Sequence, residues 1–167
     1  VVHAARRGIR SIVSTGDKRG QVVIVAGKPG KSFAEPRVIP TSLGGPHALV
    51  CSDLSLDGKL DLAVWGRNTA PPYVVVLEGR DGGEFEEVPI LETYLAPGDV
   101  YQNAFARDFD GDGNDELLIF VYKKFGQPGS GEAVLIEHAG QGGYDVKQLG
   151  KVEGFGCDVA DMDGDGR

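Results

Sequence analysis

Acidic, glycine-containing loops recur at a nearly constant interval along this chain of 167 residues. They begin at Asp53, Asp108 and Asp161, so the intervals are 55 and 53 residues. Repeats of this length are typical of propellers and other repeat arrays. A regular repeat constrains the fold strongly, because every unit has to form the same supersecondary structure and stack on its neighbours.

The segments between the loops have the composition of β-strands. They are short, rich in Val, Ile and aromatic residues, and bounded by Gly, Pro, Asn and Asp. Three runs align as the same strand of successive repeats: QVVIVAG from Gln21, YVVVLEG from Tyr73 and AVLIEHAG from Ala133. Runs such as Val74–Leu77 are apolar on both faces, which predicts strands that are covered on both sides. The one helix candidate, residues 99–110, is interpreted as a loop that enters a strand.

Each repeat is predicted to have four strands, with the acidic loop between the first two. In the second repeat we expect strands at about 47–52, 61–66, 73–78 and 86–92. The first repeat lacks an acidic loop, since Arg6 and Arg10 stand where carboxylates would be needed. We therefore expect the chain to begin at the second strand of a repeat and to end just after a first strand.

These features predict an all-β, β-propeller-type array of about three four-stranded blades over residues 1–167. The blades are expected at about 9–42, 46–95 and 101–150, with 154–167 forming the first strand of a further blade or a closing strand. Propellers usually have four to eight blades. We expect the chain to be a fragment of a larger propeller; the alternative is a homodimer that completes a six-bladed ring.

The loop that starts at Asp108 has the residue types of a calcium site. Hard cations take six to eight oxygen ligands, and glycines allow the tight turn that brings the ligands together. The predicted ligands of this loop are Asp108, Asp110, Asp112, the Asn114 carbonyl and Glu116. The corresponding residues of the preceding loop are Asp53, Ser55, Asp57, the Lys59 carbonyl and Asp61, and those of the last loop are Asp161, Asp163 and Asp165. We expect weaker calcium binding in the loop at Asp53, because Ser55 is neutral and Leu56 replaces a glycine.

An EF-hand is excluded as an explanation of these loops. An EF-hand needs a Glu at position twelve and a helix on each side. Position twelve is Ile119 in one loop and Val64 in the other, and both flanks are strand-like.

Composition excludes two classes of function. The net charge of −8 argues against a nucleic-acid partner, because no basic surface is available for phosphates. Insertion in a membrane is not expected, since no apolar run approaches the roughly 18–20 residues that span a bilayer. Cys51 and Cys157 show neither metal-binding nor disulfide spacing and are interpreted as small core residues in strands.

The pattern Asp-x-Asp-Gly-Asp-Gly-x-x-Asp/Glu-Leu, flanked by strands and repeated, resembles the FG-GAP/VCBS repeats that form integrin-α-like β-propeller blades. The resemblance covers most of the chain and is strongest in the loop at Asp108. It implies calcium in the loop between the first two strands of a blade. It also implies an extracellular, cell-surface or periplasmic setting and mostly binding roles.

Catalysis is not expected. Carboxylates that coordinate an ion are poor general acids, and His3, His47 and His138 share no spacing that suggests a catalytic arrangement. Trp65 and Tyr73 are the best candidates for a sugar-stacking surface, but Trp65 is in phase with Ala63 and is expected in the core between blades. Residues 91–101 and 123–131 are the loops where specificity could lie.

The expected function is therefore that of a calcium-stabilised, non-catalytic module for extracellular protein or glycan binding or adhesion. The alternative is an accessory propeller domain of a secreted carbohydrate-active enzyme whose catalytic residues lie outside this chain. Calcium would have a structural role, since it would neutralise the clustered carboxylates and fix the turn.

Overall fold

The computed structural model describes residues 2–6, 9–15, 20–30, 32–66, 74–90, 100–122, 131–140, 143–152 and 159–160. Apart from one short 3-10 turn at Asp81–Gly83, the regular structure in these ranges consists of β-strands. The all-β prediction is confirmed. No helix in the described ranges is long and apolar enough to cross a membrane.

The strands form three antiparallel sheets in chain order. The first sheet contains β1 (Val2–Arg6), β2 (Ile9–Thr15), β3 (Gln21–Lys28), β4 (Ser32–Phe33) and β5 (Arg37–Pro40). The second contains β6 (Pro46–Ser52), β7 (Asp61–Gly66), β8 (Val74–Gly79) and β9 (Phe85–Pro89). The third contains β10 (Val100–Arg107), β11 (Glu116–Tyr122), β12 (Gly131–His138) and β13 (Tyr144–Val152).

In the second and third sheets each strand pairs with the next one along the chain, so both sheets are antiparallel meanders. In the first sheet the last two strands, β4 and β5, both pair with β3, each along a different part of it. The acidic loops join the first two strands of the second and third sheets, as predicted. In the helix candidate at 99–110, Val100–Arg107 form β10, and the described residues 100–110 contain no helix.

The first sheet differs from the prediction at its start. The chain was expected to begin at the second strand of a repeat, but β1 pairs with β2 from Val2↔Val13 to Arg6↔Ile9. Residues 7–8 connect these two strands where the other sheets have an acidic loop. The prediction was wrong because it used carboxylate spacing to locate the first strand, whereas a short hairpin connection needs no carboxylates.

Alternate residues of the second sheet pack in opposite directions. Leu62, Val64, Val75 and Leu77 belong to a buried cluster that also contains Val13, Val22, Ile39 and Leu43 of the first repeat. The residues between them belong to a second cluster shared with the third sheet, which contains Ala63, Trp65, Val74, Val76, Leu117, Ile119, Val134 and Ile136. Since side chains alternate along a strand, this packing explains why the runs are apolar on both faces.

Trp65 lies in the core between the second and third sheets, where its side chain is 3% exposed. The favoured core interpretation agrees with this position, and a buried indole offers no surface for a sugar. Tyr73 lies outside the described residues, as do Cys157, most of the two specificity loops and most of the predicted strand at 154–167. Cys51 is on β6, and burial raises the pKa of its thiol to about 11.

Candidate metal centre

Strand pairing brings the two ends of the loops at Asp53 and Asp108 together. Arg107, the last residue of β10, is the register partner of Glu116, the first residue of β11. Ser52 and Asp61 are partners at the same place in the second sheet. The first and ninth loop positions are therefore held close by the sheet itself, independently of any ion.

The loop at Asp108 is closed by bonds from its own backbone to its carboxylates. The Gly111 and Gly113 N–H groups donate to Asp108 Oδ1 and Oδ2 at 2.6 and 2.9 Å. The Asp112 N–H donates to Asp110 Oδ1 at 3.0 Å. Both glycines have a left-handed backbone, with φ of 82° and 93°. Glycine adopts this conformation at little cost, so the sequence supplies the turn that the loop requires.

Three carboxylates of this loop converge. One oxygen each of Asp108, Asp110 and Glu116 lies within 4.8 Å of the other two. Glu116 is only 6% exposed, and its Oε2 accepts a bond from the Phe109 N–H at 2.8 Å. Burial raises the pKa of the Glu116 carboxyl, and the nearby charges of Asp110, Asp112 and Asp108 raise it further. A divalent cation would relieve both effects, so this oxygen donor set fits calcium.

The two remaining predicted ligands of the loop lie at its exposed end. Asp112 Oδ1 accepts the Asn114 N–H at 2.8 Å, and Asp112 Oδ2 accepts the Asn114 side-chain amide at 3.0 Å. Asp112 does not belong to the converging trio of carboxylates. Asn114 was predicted to contribute its backbone carbonyl, which these bonds leave available.

The loop at Asp53 repeats part of this backbone pattern. Asp53 Oδ2 accepts the Gly58 N–H at 2.9 Å, which matches the bond from Gly113 to Asp108. Leu56, at the position of Gly111, also has a left-handed backbone, with φ of 59°. The chain therefore forms the same turn with a residue that adopts this conformation at a cost.

A lysine supplies positive charge inside the loop at Asp53. Lys59 Nζ lies 3.0 Å from Asp57 Oδ2, and the hydrogen bond from Lys59 lowers the pKa of Asp57. Arg80 Nη1 is 3.9 Å from the same oxygen. An ammonium at this position competes with a metal ion for the Asp57 carboxylate.

Asp61 closes this loop from inside the protein. It is fully buried, and its two oxygens accept the Ser55 and Gly79 N–H groups at 2.7 and 2.8 Å. Burial raises the pKa of Asp61, while these two N–H groups oppose the rise. In the described ranges, three converging acidic groups occur at the loop of Asp108 and not at this loop. The predicted ligands Asp161, Asp163 and Asp165 lie outside the described residues.

Asp115 has a contact that the sequence did not suggest. It lies between the ligand positions, is half-buried and accepts a hydrogen bond from Ser52 Oγ at the end of β6, which links the second sheet to the loop at Asp108. The corresponding residue of the preceding loop is Leu60. Comparison of the repeats therefore gave no signal for this contact.

Comparison with known families agrees with the repeat pattern. Residues 53–119 match the model of the FG-GAP-like repeat. The match begins at the first residue of one acidic loop and extends through the other into β11. No curated protein and no solved structure gives a match. The resemblance predicted from the acidic loops is thus confirmed, and the chain carries an FG-GAP-like repeat at residues 53–119.

Proposed function

We propose that the chain is a β-propeller-type binding module whose blades are stabilised by Ca²⁺ in the acidic loops. The observation that supports this most directly is the convergence of Asp108, Asp110 and Glu116, with Glu116 buried. Three antiparallel sheets that share buried clusters with their neighbours, together with an FG-GAP-like repeat, are consistent with propeller blades. The family resemblance further suggests an extracellular, cell-surface or periplasmic setting.

The principal calcium site would be formed by Asp108, Asp110, Asp112, the Asn114 carbonyl and Glu116. Bound there, the ion would neutralise the aspartates whose charges raise the pKa of Glu116 and would hold the connection between β10 and β11. Asp53, Ser55, Asp57, the Lys59 carbonyl and Asp61 form a weaker site in this proposal, because Lys59 already neutralises Asp57. The proposed role of the metal is structural.

A non-catalytic role suits the state of these carboxylates. Both oxygens of Asp108 accept backbone N–H groups, and Glu116 is buried and bonded to Phe109. Carboxylates engaged in this way are poorly placed to exchange protons with a substrate. We therefore assign binding of a protein or glycan to the loops between the sheets, outside the metal loops.

Calorimetric titration of the chelator-treated protein with CaCl₂ tests the metal site. We expect saturable binding and a rise in melting temperature, since a ligand of the folded state stabilises it by mass action. Asp110→Asn removes one charge and retains an oxygen that can accept the Asp112 N–H, so its fold should persist while calcium affinity falls at least about tenfold. Asp145→Asn, on the exposed strand β13, is the matched control. Equal calcium binding by both variants would contradict the site.

The binding role needs a separate measurement. Screening the calcium-loaded protein against arrays of glycans and extracellular proteins should give saturable, selective binding to at least one of them, and its absence would contradict the binding role. Turnover of a glycan by the chain alone would contradict the non-catalytic assignment.

A further inference from the structure

An apolar groove of about 440 Å³ lies between the first and second sheets. Its inner part is formed by Val13, Ile24 and Leu62, which belong to or pack against the buried cluster between these sheets. Its other lining residues are Ala26, Ala34, Glu35, Arg37, Leu60, Gly83 and Phe85. The groove is therefore continuous with the core and open at the side of the protein.

Small residues leave this space unfilled. Ala26 and Ala34 on the lining have only a methyl group and Gly83 has no side chain, so these residues fill little of the groove. Leu60, also on the lining, remains 37% exposed although it is apolar. An open apolar surface of this kind gains stability when a ligand covers it.

One cationic side chain lies at the opening. Arg37 donates to the Gly83 carbonyl and, through Nη2, to Glu84 Oε2 at 2.7 Å. A guanidinium has more N–H groups than these two bonds use, so Arg37 can donate to a further acceptor. The nearby negative charges of Glu35 and Glu84 disfavour an anionic acceptor and favour a neutral one.

We infer that this groove binds a small, uncharged apolar molecule whose carbonyl or amide oxygen accepts a hydrogen bond from Arg37. The volume is within the range of about 300–1,000 Å³ that small-molecule sites occupy. An apolar lining with a single polar contact is also the usual composition of such sites. The site lies apart from the acidic loop at Asp108, and Leu60 on its lining belongs to the loop at Asp53.

Fluorescence titration with N-phenylnaphthylamine, a neutral apolar dye, tests the groove. We expect saturable binding to one site on the calcium-loaded protein. Octanamide should displace the dye at a concentration at least about tenfold lower than octanoate, which has a similar chain and carries a charge. Equal displacement by the two compounds would contradict the predicted preference for a neutral head group, and absence of saturable binding would overturn the proposal.

Two variants locate the site. Ala34→Trp should fill the groove and weaken dye binding at least about tenfold, whereas Ala139→Trp, on an exposed turn of the third repeat, should leave it unchanged. Arg37→Met retains an apolar side chain and removes the hydrogen-bond donor, so octanamide should displace the dye only at a concentration at least about tenfold higher than it needs with wild type. Circular dichroism and melting temperature establish that each variant is folded. Binding by folded Ala34→Trp with wild-type affinity would overturn the assignment to this groove.

Discussion

The hydroxyl of Tyr144, on β13, donates a hydrogen bond to Glu78 Oε1, on β8, across 3.0 Å. Glu78 is 4% exposed, and its other oxygen accepts a bond from Arg80 Nη2 at 2.6 Å. Arg80 also bonds to the exposed Glu86. The two residues are 66 positions apart in sequence, so this buried carboxylate connects the second and third sheets. Tyr144 also packs against the core cluster that contains Trp65.

Removal of the Tyr144 hydroxyl should destabilise the protein. In Tyr144→Phe the Glu78 carboxylate stays buried but loses one donor, and an unsatisfied buried group costs about 1–3 kcal/mol in unfolding free energy. Glu86→Gln, which breaks an exposed ion pair with Arg80, should cost less than about 1 kcal/mol. Urea denaturation of both variants measures the difference. A larger loss for Glu86→Gln would show that the buried bond does not stabilise the contact between the sheets.

The same contact predicts a loss of stability at alkaline pH. Burial raises the pKa of Tyr144, and the Glu78 carboxylate raises it further. The unfolded chain therefore releases this proton near the ordinary pKa of about 10, while the folded protein retains it. The contribution to stability is complete below pH about 10 and falls as the pH rises above that value.

Urea denaturation at several alkaline pH values tests this dependence. Wild type should lose stability more steeply than Tyr144→Phe above pH about 10, because the variant has no phenol at this position. Identical slopes for the two proteins would mean that Tyr144 titrates alike in the folded and unfolded states.

The sequence was most informative where chemistry repeats. The loops at Asp53 and Asp108 predicted both the position of the connection between strands and the paired strands around it. Equivalent residues, such as Gly58 and Gly113, make equivalent backbone bonds. Local turn requirements and strand periodicity therefore sufficed to predict the second and third sheets.

Contacts that do not repeat could not be predicted in this way. β1 was missed because no acidic loop marks its end, and the bonds of Ser52 with Asp115 and of Tyr144 with Glu78 join residues distant in sequence. Their formation depends on how the sheets pack, which no local pattern specifies. The ion pair between Lys59 and Asp57 also depends on the rotamer of the Lys59 side chain, which the spacing of residues in the sequence does not determine.

Replacement of Lys59 should strengthen calcium binding at the loop of Asp53. Its ammonium lies 3.0 Å from Asp57 Oδ2, so Lys59→Met removes a competing cation and retains the backbone carbonyl. In the Asp110→Asn background, which weakens the other site, we expect calcium affinity to rise about tenfold. Lys147→Met, on exposed β13, controls for the change in net charge. Calorimetry showing the same affinity in both lysine variants would contradict a local effect.

Leu56 should be replaceable by glycine with a gain in stability. Its φ of 59° costs a residue with a side chain about 1–2 kcal/mol, and the side chain is 43% exposed, so little burial is lost. The greater freedom of glycine in the unfolded chain offsets about 0.5–1 kcal/mol, which leaves a net gain of about 0.5–1 kcal/mol for Leu56→Gly.

Gly111→Ala is the reciprocal change in the other loop. Its φ of 82° should make this variant less stable by about 1 kcal/mol. Thermal denaturation in chelator compares the two loops without a contribution from bound ions. A loss of stability in Leu56→Gly would indicate that the Leu56 side chain has stabilising contacts that outweigh its backbone strain.

Trp65 should tolerate phenylalanine far better than alanine. The indole is 3% exposed in the core between the second and third sheets, yet its Nε1 has no hydrogen-bond partner among the described residues. Trp65→Phe removes this unsatisfied donor together with part of the apolar volume, so we expect a cost below about 1.5 kcal/mol. Trp65→Ala leaves a cavity and should cost about 3–5 kcal/mol.

Because the chain has one tryptophan, wild-type emission should be blue-shifted and poorly quenched by iodide. Strong iodide quenching in the folded protein, or equal costs for the two variants, would place Trp65 at the surface and restore it as a candidate for sugar stacking.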